Sequence, residues 1–227
     1  MERYEEKKLT RNKQKIQRLT LAAFFVAIEL LMGFTPIGYI PVGALYITTM
    51  HLPVILAGIL AGPSFGAGMG FVFGLTSFLH ATFQPNLTSF VFTPFITIGG
   101  ISGNFFSLLI CFLPRIFLGW LSGMLYSILS KKFKNSITIA MITAVVNTLI
   151  HTVLVLGGIY VFFAPSYAQA LGTSTAGVAA LLLGVVSTNT VAEAVLAGIA
   201  IPVLIKALQP SAERMGFHHG NKTAVAE

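Results

Sequence analysis

Aspartate is absent from this 227-residue chain, cysteine occurs once, and charged residues make up only 9% of the sequence. Soluble domains carry roughly 25% charged residues. A water-facing surface of this size cannot be assembled from so few, whereas helices that face lipid need none. Between Thr20 and Ile205 the only charged side chains are Glu29, Arg115, Lys131, Lys132, Lys134 and Glu193. The missing aspartate removes Asp-based metal and phosphotransfer chemistry. The lone Cys111 excludes an internal disulfide and a cysteine-rich metal site, and reads as a small apolar residue. No G-x-x-x-x-G-K-[ST] loop and no H-E-x-x-H run occurs, so neither P-loop ATP hydrolysis nor zinc proteolysis belongs to this chain. Gly62-Pro63-Ser64-Phe65-Gly66 has the letters of a nucleophile elbow, but that elbow follows a strand, and here two apolar helices are expected to flank it. It reads as a tight turn. An enzyme is not expected, nor a metal or other cofactor.

What is present is apolar. Hydrophobic residues make up 55% of the chain, and runs near the ~20 residues of a spanning helix fall at 19–33, 47–62, 64–80, 104–130, 136–163 and 177–207. The expected fold is all-α, a polytopic membrane protein with six transmembrane helices. It divides into a basic cytoplasmic N-terminus (1–18), a single membrane domain (19–207) and a cytoplasmic tail (208–227). The first apolar run lacks a small-residue cleavage site and is expected to stay in the protein. Pro114 predicts a kink or an interrupted start in the fourth helix. The segment 81–103 holds Pro85, Pro94, Gly99, Gly100 and Gly103 together with Phe83, Phe90, Phe92 and Phe95, and reads as an irregular loop that packs back as a lid.

The net charge of +7 is placed as a membrane protein needs it, which argues against nucleic acid as a partner. With the N-terminus in the cytoplasm, six spans put the Lys131 loop and the C-terminus there too. The exterior segments 34–46, 81–103 and 164–176 contain no Lys or Arg, and every basic residue except Arg115 lies inside. The chain is expected in a bacterial plasma (inner) membrane.

Gly66, Gly70 and Gly74, and likewise Gly119 and Gly123, recur at four-residue spacing and predict close helix packing. Ala23 and Ala27 form a similar pair that, on sequence alone, is ordinary packing. Five polar residues fall near mid-span: Arg115 on the fourth helix, Asn147 and His151 one turn apart on the fifth, Asn189 and Glu193 one turn apart on the sixth. They predict an internal polar pocket. The alternative is a self-satisfied network in which Arg115 pairs with Glu193 and His151 is a core histidine. Glu29 is expected to snorkel to water or to reach the lid. His51, His80 and His218-His219 show no metal-ligand spacing and are given no role, nor is the sequon Asn86-Leu87-Thr88.

Six spans, the Ala23/Ala27 pair, the stretch from Gly33-Phe34-Thr35-Pro36-Ile37-Gly38 to Thr48-Thr49-Met50-His51-Leu52-Pro53, and the segments Gly70–Ser77, Leu113-Pro114-Arg115, Asn147-Thr148 and Leu156–Tyr160 resemble the substrate-binding S components of energy-coupling factor (ECF) transporters, most closely the pantothenate-type members. The resemblance implies a subunit that captures a vitamin outside. It then docks through Ala23 and Ala27 on a transmembrane scaffold subunit carrying two ATPases, and topples to release its load. Pantothenate is a carboxylate with hydroxyls and an amide. By chemistry and depth Arg115 would take the carboxylate, Asn147, His151 and Asn189 the hydroxyl and amide groups, and Glu193 a hydroxyl or Arg115 itself. Two alternatives stay open: another vitamin, or a self-sufficient proton-coupled transporter for a small carboxylate.

Overall fold

The computed structural model describes residues 2–42 and 45–214. Among them the chain forms six helical rods: α1 (Glu2–Gly33), α2 (His51–Ala61), α3 (Pro63–Phe83), α4 (Phe105–Lys132), α5 (Ser136–Leu171), and a last rod of α6 (Thr175–Val185) and α7 (Val191–Arg214) joined by a π-helical turn at Val186–Thr190. Four rods are long and apolar enough to cross a membrane: α1 from Lys15, α4, α5, and the last rod. The fold is that of a helical, multi-pass membrane protein. His218-His219 and the rest of the tail beyond Arg214 lie outside the described residues.

Several boundaries differ from the sequence reading, and the first helix runs back to Glu2 instead of starting at 19. The second helix starts at His51, not 47, because Tyr39–Val42 (β1) and Leu45–Thr48 (β2) pair as an antiparallel hairpin, Tyr39 opposite Thr48. At ~1.5 Å per residue, α2 covers only about half of a ~30 Å hydrocarbon core. It starts inside the bundle, where Met50 and His51 are fully buried. The fifth helix runs through Pro165 to Leu171 and ends on Gly172 in the left-handed conformation (φ 63°), so the segment read as 164–176 shrinks to three residues. The fourth helix is unbroken at Pro114. The redrawn connections at the hairpin end of the bundle still contain no Lys or Arg, while Lys131 and Lys132 end α4 at the other.

Local chemistry sets the helix starts. Asn104 caps α4, its side chain accepting from Phe106 N–H at 2.8 Å while Ser107 returns a bond to the Asn104 backbone. Asn135 accepts from Ile137 and Thr138 N–H to start α5, and Ser174 accepts from Gly177 N–H to start α6. Gly62 (φ 96°) and Pro63 make the α2–α3 turn.

The packing centre is a glycine seam. A Cβ on Gly119 would strike the Gly66 carbonyl oxygen, one on Gly70 the Arg115 carbonyl oxygen, and one on Gly58 the Gly119 carbonyl at 2.6 Å. Backbones of α2, α3 and α4 therefore touch, which small residues alone permit. Cys111 is buried there, its thiol donating to the Gly74 carbonyl at 3.3 Å. Away from the hairpin end, Ile55, Ile59, Leu118, Tyr126, Ile139, Ile201 and Ile205 fill the bundle with apolar side chains.

Helix α1 lies outermost, against α3, and its residues sort by face. Leu21, Phe25, Glu29 and Gly33 are buried; Leu19, Ala23, Ala27 and Leu31, on the opposite strip, are exposed. Glu29 is therefore turned inward and fully buried, with no hydrogen-bond partner for either oxygen. That overturns the expectation that it snorkels: Gly33 packs against Thr76 and Met50, which draws this strip into the bundle.

The loop between α3 and α4 folds back. Ser89–Val91 forms a 3-10 turn whose Phe90 and Val91 are fully buried among Ile110, Val155, Ile159 and Phe163. A second small hairpin, Thr97–Ile98 (β3) with Ile101–Ser102 (β4), turns on Gly99 and Gly100, both at positive φ. Phe83 and Phe95 remain exposed.

Candidate functional site

A cavity of about 260 Å³ opens at the hairpin end of the bundle. The helix α3 contributes Phe73, Ser77 and His80; α4 contributes Arg115; α5 contributes His151, Thr152, Val155 and Leu156; the last rod contributes Val185, Asn189, Thr190 and Glu193. Tyr39 and Thr48 of the first hairpin, and Asn86, Thr88, Ser89 and Phe92 of the α3–α4 loop, complete the walls. Four of the five residues singled out by depth therefore meet in one space. Asn147 does not: one turn from His151, it is buried outside the cavity, donating to the Thr143 carbonyl at 2.8 Å with its side-chain oxygen unpartnered.

Arg115 sits in an uncommon setting. Its Nη1 donates to the carbonyl of Ile110, and the guanidinium carbon lies 5.1 Å from the Phe92 ring centroid and 5.5 Å from that of Phe73. Its Nε is buried without a partner. No acidic side chain among the described residues pairs with it. Glu193 is engaged elsewhere, its Oε1 accepting the backbone N–H of Thr48 at 2.7 Å. The Arg115–Glu193 pair anticipated as an alternative is thus not formed. A buried cation compensated only by a carbonyl and two ring faces retains most of its attraction for an anion.

The remaining walls offer neutral hydrogen-bonding groups. His151 is buried, its Nε2 without a partner and its ring 6.0 Å from that of Phe73. Asn189 and Thr190 belong to the π turn, whose extra residue per turn resets the face that the last rod presents. Tyr39 stacks on His80 at 4.7 Å between ring centroids, and its hydroxyl lies 3.3 Å from that of Ser77. The Asn86 side-chain oxygen holds the lid turn through Thr88 N–H at 3.0 Å, and Ser107 ties Phe90 to α4 at 2.7 Å. The cavity can therefore take one small polar solute with an anionic end and several hydroxyl or amide groups.

Ala23 and Ala27 line no part of this cavity; both are exposed on the outward strip of α1.

The sequence compares closely with known proteins. The family model described as "ECF transporter, substrate-specific component" matches residues 17–205. A protein of Lactococcus lactis subsp. cremoris named pantothenic acid transporter PanT is 34% identical over 199 residues, 86% of this chain and 95% of that protein. One of Leuconostoc mesenteroides named pantothenate transporter PanT is 29% identical over 212 residues, 89% of this chain and 97% of that protein.

Proposed function

The chain belongs to the substrate-specific components of ECF transporters, and from that membership we propose that it is the pantothenate-capturing subunit of an ATP-driven vitamin importer. The observation that carries the reading is the buried, acid-free guanidinium of Arg115 in a cavity otherwise lined by neutral groups. Such a site favours a carboxylate, which can accept charge-assisted hydrogen bonds from the guanidinium. His151 and Asn189, which line the same cavity, would bond hydroxyl and amide groups of the solute. Glu193 acts on the hairpin rather than on Arg115. Asn147 has no part in contact with solute and steadies the helix beneath it.

Both termini and the Lys131 loop face the cytoplasm in this reading, as the distribution of Lys and Arg favours. The cavity then opens outward, under the hairpin and the lid. Since the sequence holds no phosphate loop, energy comes from partners, a scaffold subunit with two ATPases, reached through the Ala23/Ala27 strip. Mass spectrometry of small molecules copurifying with the detergent-extracted chain is expected to find pantothenate. The chain alone in liposomes is expected to bind it without accumulating it. Copurification of an uncharged solute would overturn the pantothenate assignment, and gradient-driven accumulation by the chain alone would overturn the need for ATPases.

A further inference from the structure

Pro114 lies inside α4 without breaking it. In an α-helix the N–H of residue 114 would donate to the carbonyl of residue 110. Proline has no N–H, and its ring pushes that carbonyl aside. The acceptor so released is the Ile110 carbonyl, and Arg115 Nη1 donates to it. The next residue in sequence thus takes up the bond that proline leaves open. Side chains on a helix lean toward its N-terminus, which is the direction of this reach.

We propose that Pro114 is a positioning residue that gives the cavity its preference for a carboxylate: it frees the Ile110 carbonyl, and that carbonyl holds the Arg115 guanidinium in place. The proposal rests on the carboxylate reading above and adds to it how the cation is held. An acidic partner could fix an arginine equally well, but it would cancel the charge that the ligand must meet. A backbone carbonyl fixes the group by its dipole alone. Phe73 and Phe92 flank the guanidinium carbon at 5.5 and 5.1 Å and limit its rotation. Gly70, against the Arg115 carbonyl, fixes the backbone from the other side. The cation is thus located by neutral groups, with Nε left unpartnered. Restoring an N–H at position 114 would return the Ile110 carbonyl to the helix ladder and loosen the guanidinium.

The test compares Kd values of the purified full chain for pantothenate and for its alcohol analogue, in which CH2OH replaces the carboxylate. Wild-type protein is expected to prefer the acid. In Pro114→Ala that preference is expected to fall about tenfold or more, with the alcohol's Kd changed by less than about twofold, the size of effect set by one hydrogen bond to a charged group. A merely structural proline would weaken both ligands alike and leave their ratio unchanged; that result overturns the proposal. If Pro114→Ala does not assemble, Pro114→Gly, which also restores the N–H, carries the same comparison. Solid-state NMR on wild-type protein labelled at Arg side-chain nitrogen and Ile carbonyl carbon should show a close contact that is missing in Arg115→Met, and its absence overturns the proposal independently of any position-114 variant. A wild-type protein without preference for the acid would sink the carboxylate reading and this inference together. A preference that survives in Pro114→Ala sinks this inference alone.

Discussion

Glu193 Oε1 accepts the backbone N–H of Thr48 at 2.7 Å, joining residues 145 positions apart in sequence. The bond ties the last residue of the first hairpin to the wall of the cavity, beside the π turn. The hairpin can leave the cavity mouth only by breaking it.

The first prediction follows from that bond. Glu193→Ala removes the acceptor and should speed dissociation of bound pantothenate by about tenfold or more, since a hydrogen bond to a charged group contributes roughly 1.5–3 kcal/mol. Glu193→Gln keeps an oxygen that can accept the same N–H and should lie much nearer wild type. Chase experiments with labelled pantothenate measure both rates. Equal rates for Glu193→Ala and wild type would show that the hairpin does not retain the solute.

Arg115→Met should sharply weaken binding of the carboxylate vitamin while the protein still inserts and runs as a single species on gel filtration. The expected loss is about 2–5 kcal/mol, the scale for truncating one member of a buried charged pair. Calorimetric titration gives the number. Unchanged affinity would mean that the carboxylate lies elsewhere.

How much of this was legible beforehand depends on the element. The long helices announced themselves, because nothing but lipid tolerates such apolar runs. Arg115, His151, Asn189 and Glu193 could be found by depth alone, since polar groups at mid-span are costly. The first hairpin could not: Leu45–Thr48 is apolar and runs almost directly into α2, and an apolar run shows no period that separates strand from helix. Ser77, Thr152 and Thr190 carry no signal in the sequence because hydroxyl residues also stabilise helix contacts within membranes, and Tyr39 joins the cavity only through the hairpin. Asn86 and Thr88, whose sequon implies no role, line the cavity as part of its lid. The direction of Glu29 depends on where Gly33 packs, a tertiary fact. Arg115's hold on Ile110 was within reach, because a proline at 114 always leaves the carbonyl four residues earlier without its donor.

Ala23→Trp and Ala27→Trp should leave pantothenate binding near wild type and block uptake in cells that contain the scaffold and ATPases. Both alanines are exposed on the outward strip of α1, so the new ring does not overpack this subunit. It holds a partner helix away and removes the close contact on which docking in lipid depends. Binding by the isolated chain and uptake by the full system are measured side by side. Retention of both, or loss of both, refutes the docking role.

The glycine seam should tolerate no side chain. Gly119→Ala puts a methyl group onto the Gly66 carbonyl oxygen and should destabilise the protein by about 1–3 kcal/mol or prevent assembly. Gly157→Ala, on α5 with nothing within 4 Å of the added atom, is the matched control and should be neutral. Thermal melts in detergent compare the two. Equal melting temperatures would contradict the backbone contact.

Orientation is tested by labelling intact cells with an impermeant maleimide, in a Cys111→Ala background. Leu87→Cys, in the exposed part of the lid loop, should react, and Lys132→Cys should react only after the membrane is opened. Labelling of Lys132→Cys in intact cells would reverse the topology.

The apolar fill beneath the cavity has a consequence for the solute. Leu118, Tyr126, Ile139, Ile201 and Ile205 fill the half of the bundle away from the hairpin, so among the described residues the cavity stands over an apolar floor. A solute that enters from the hairpin end therefore meets an apolar floor, and reaching the other face requires the subunit or its helices to move.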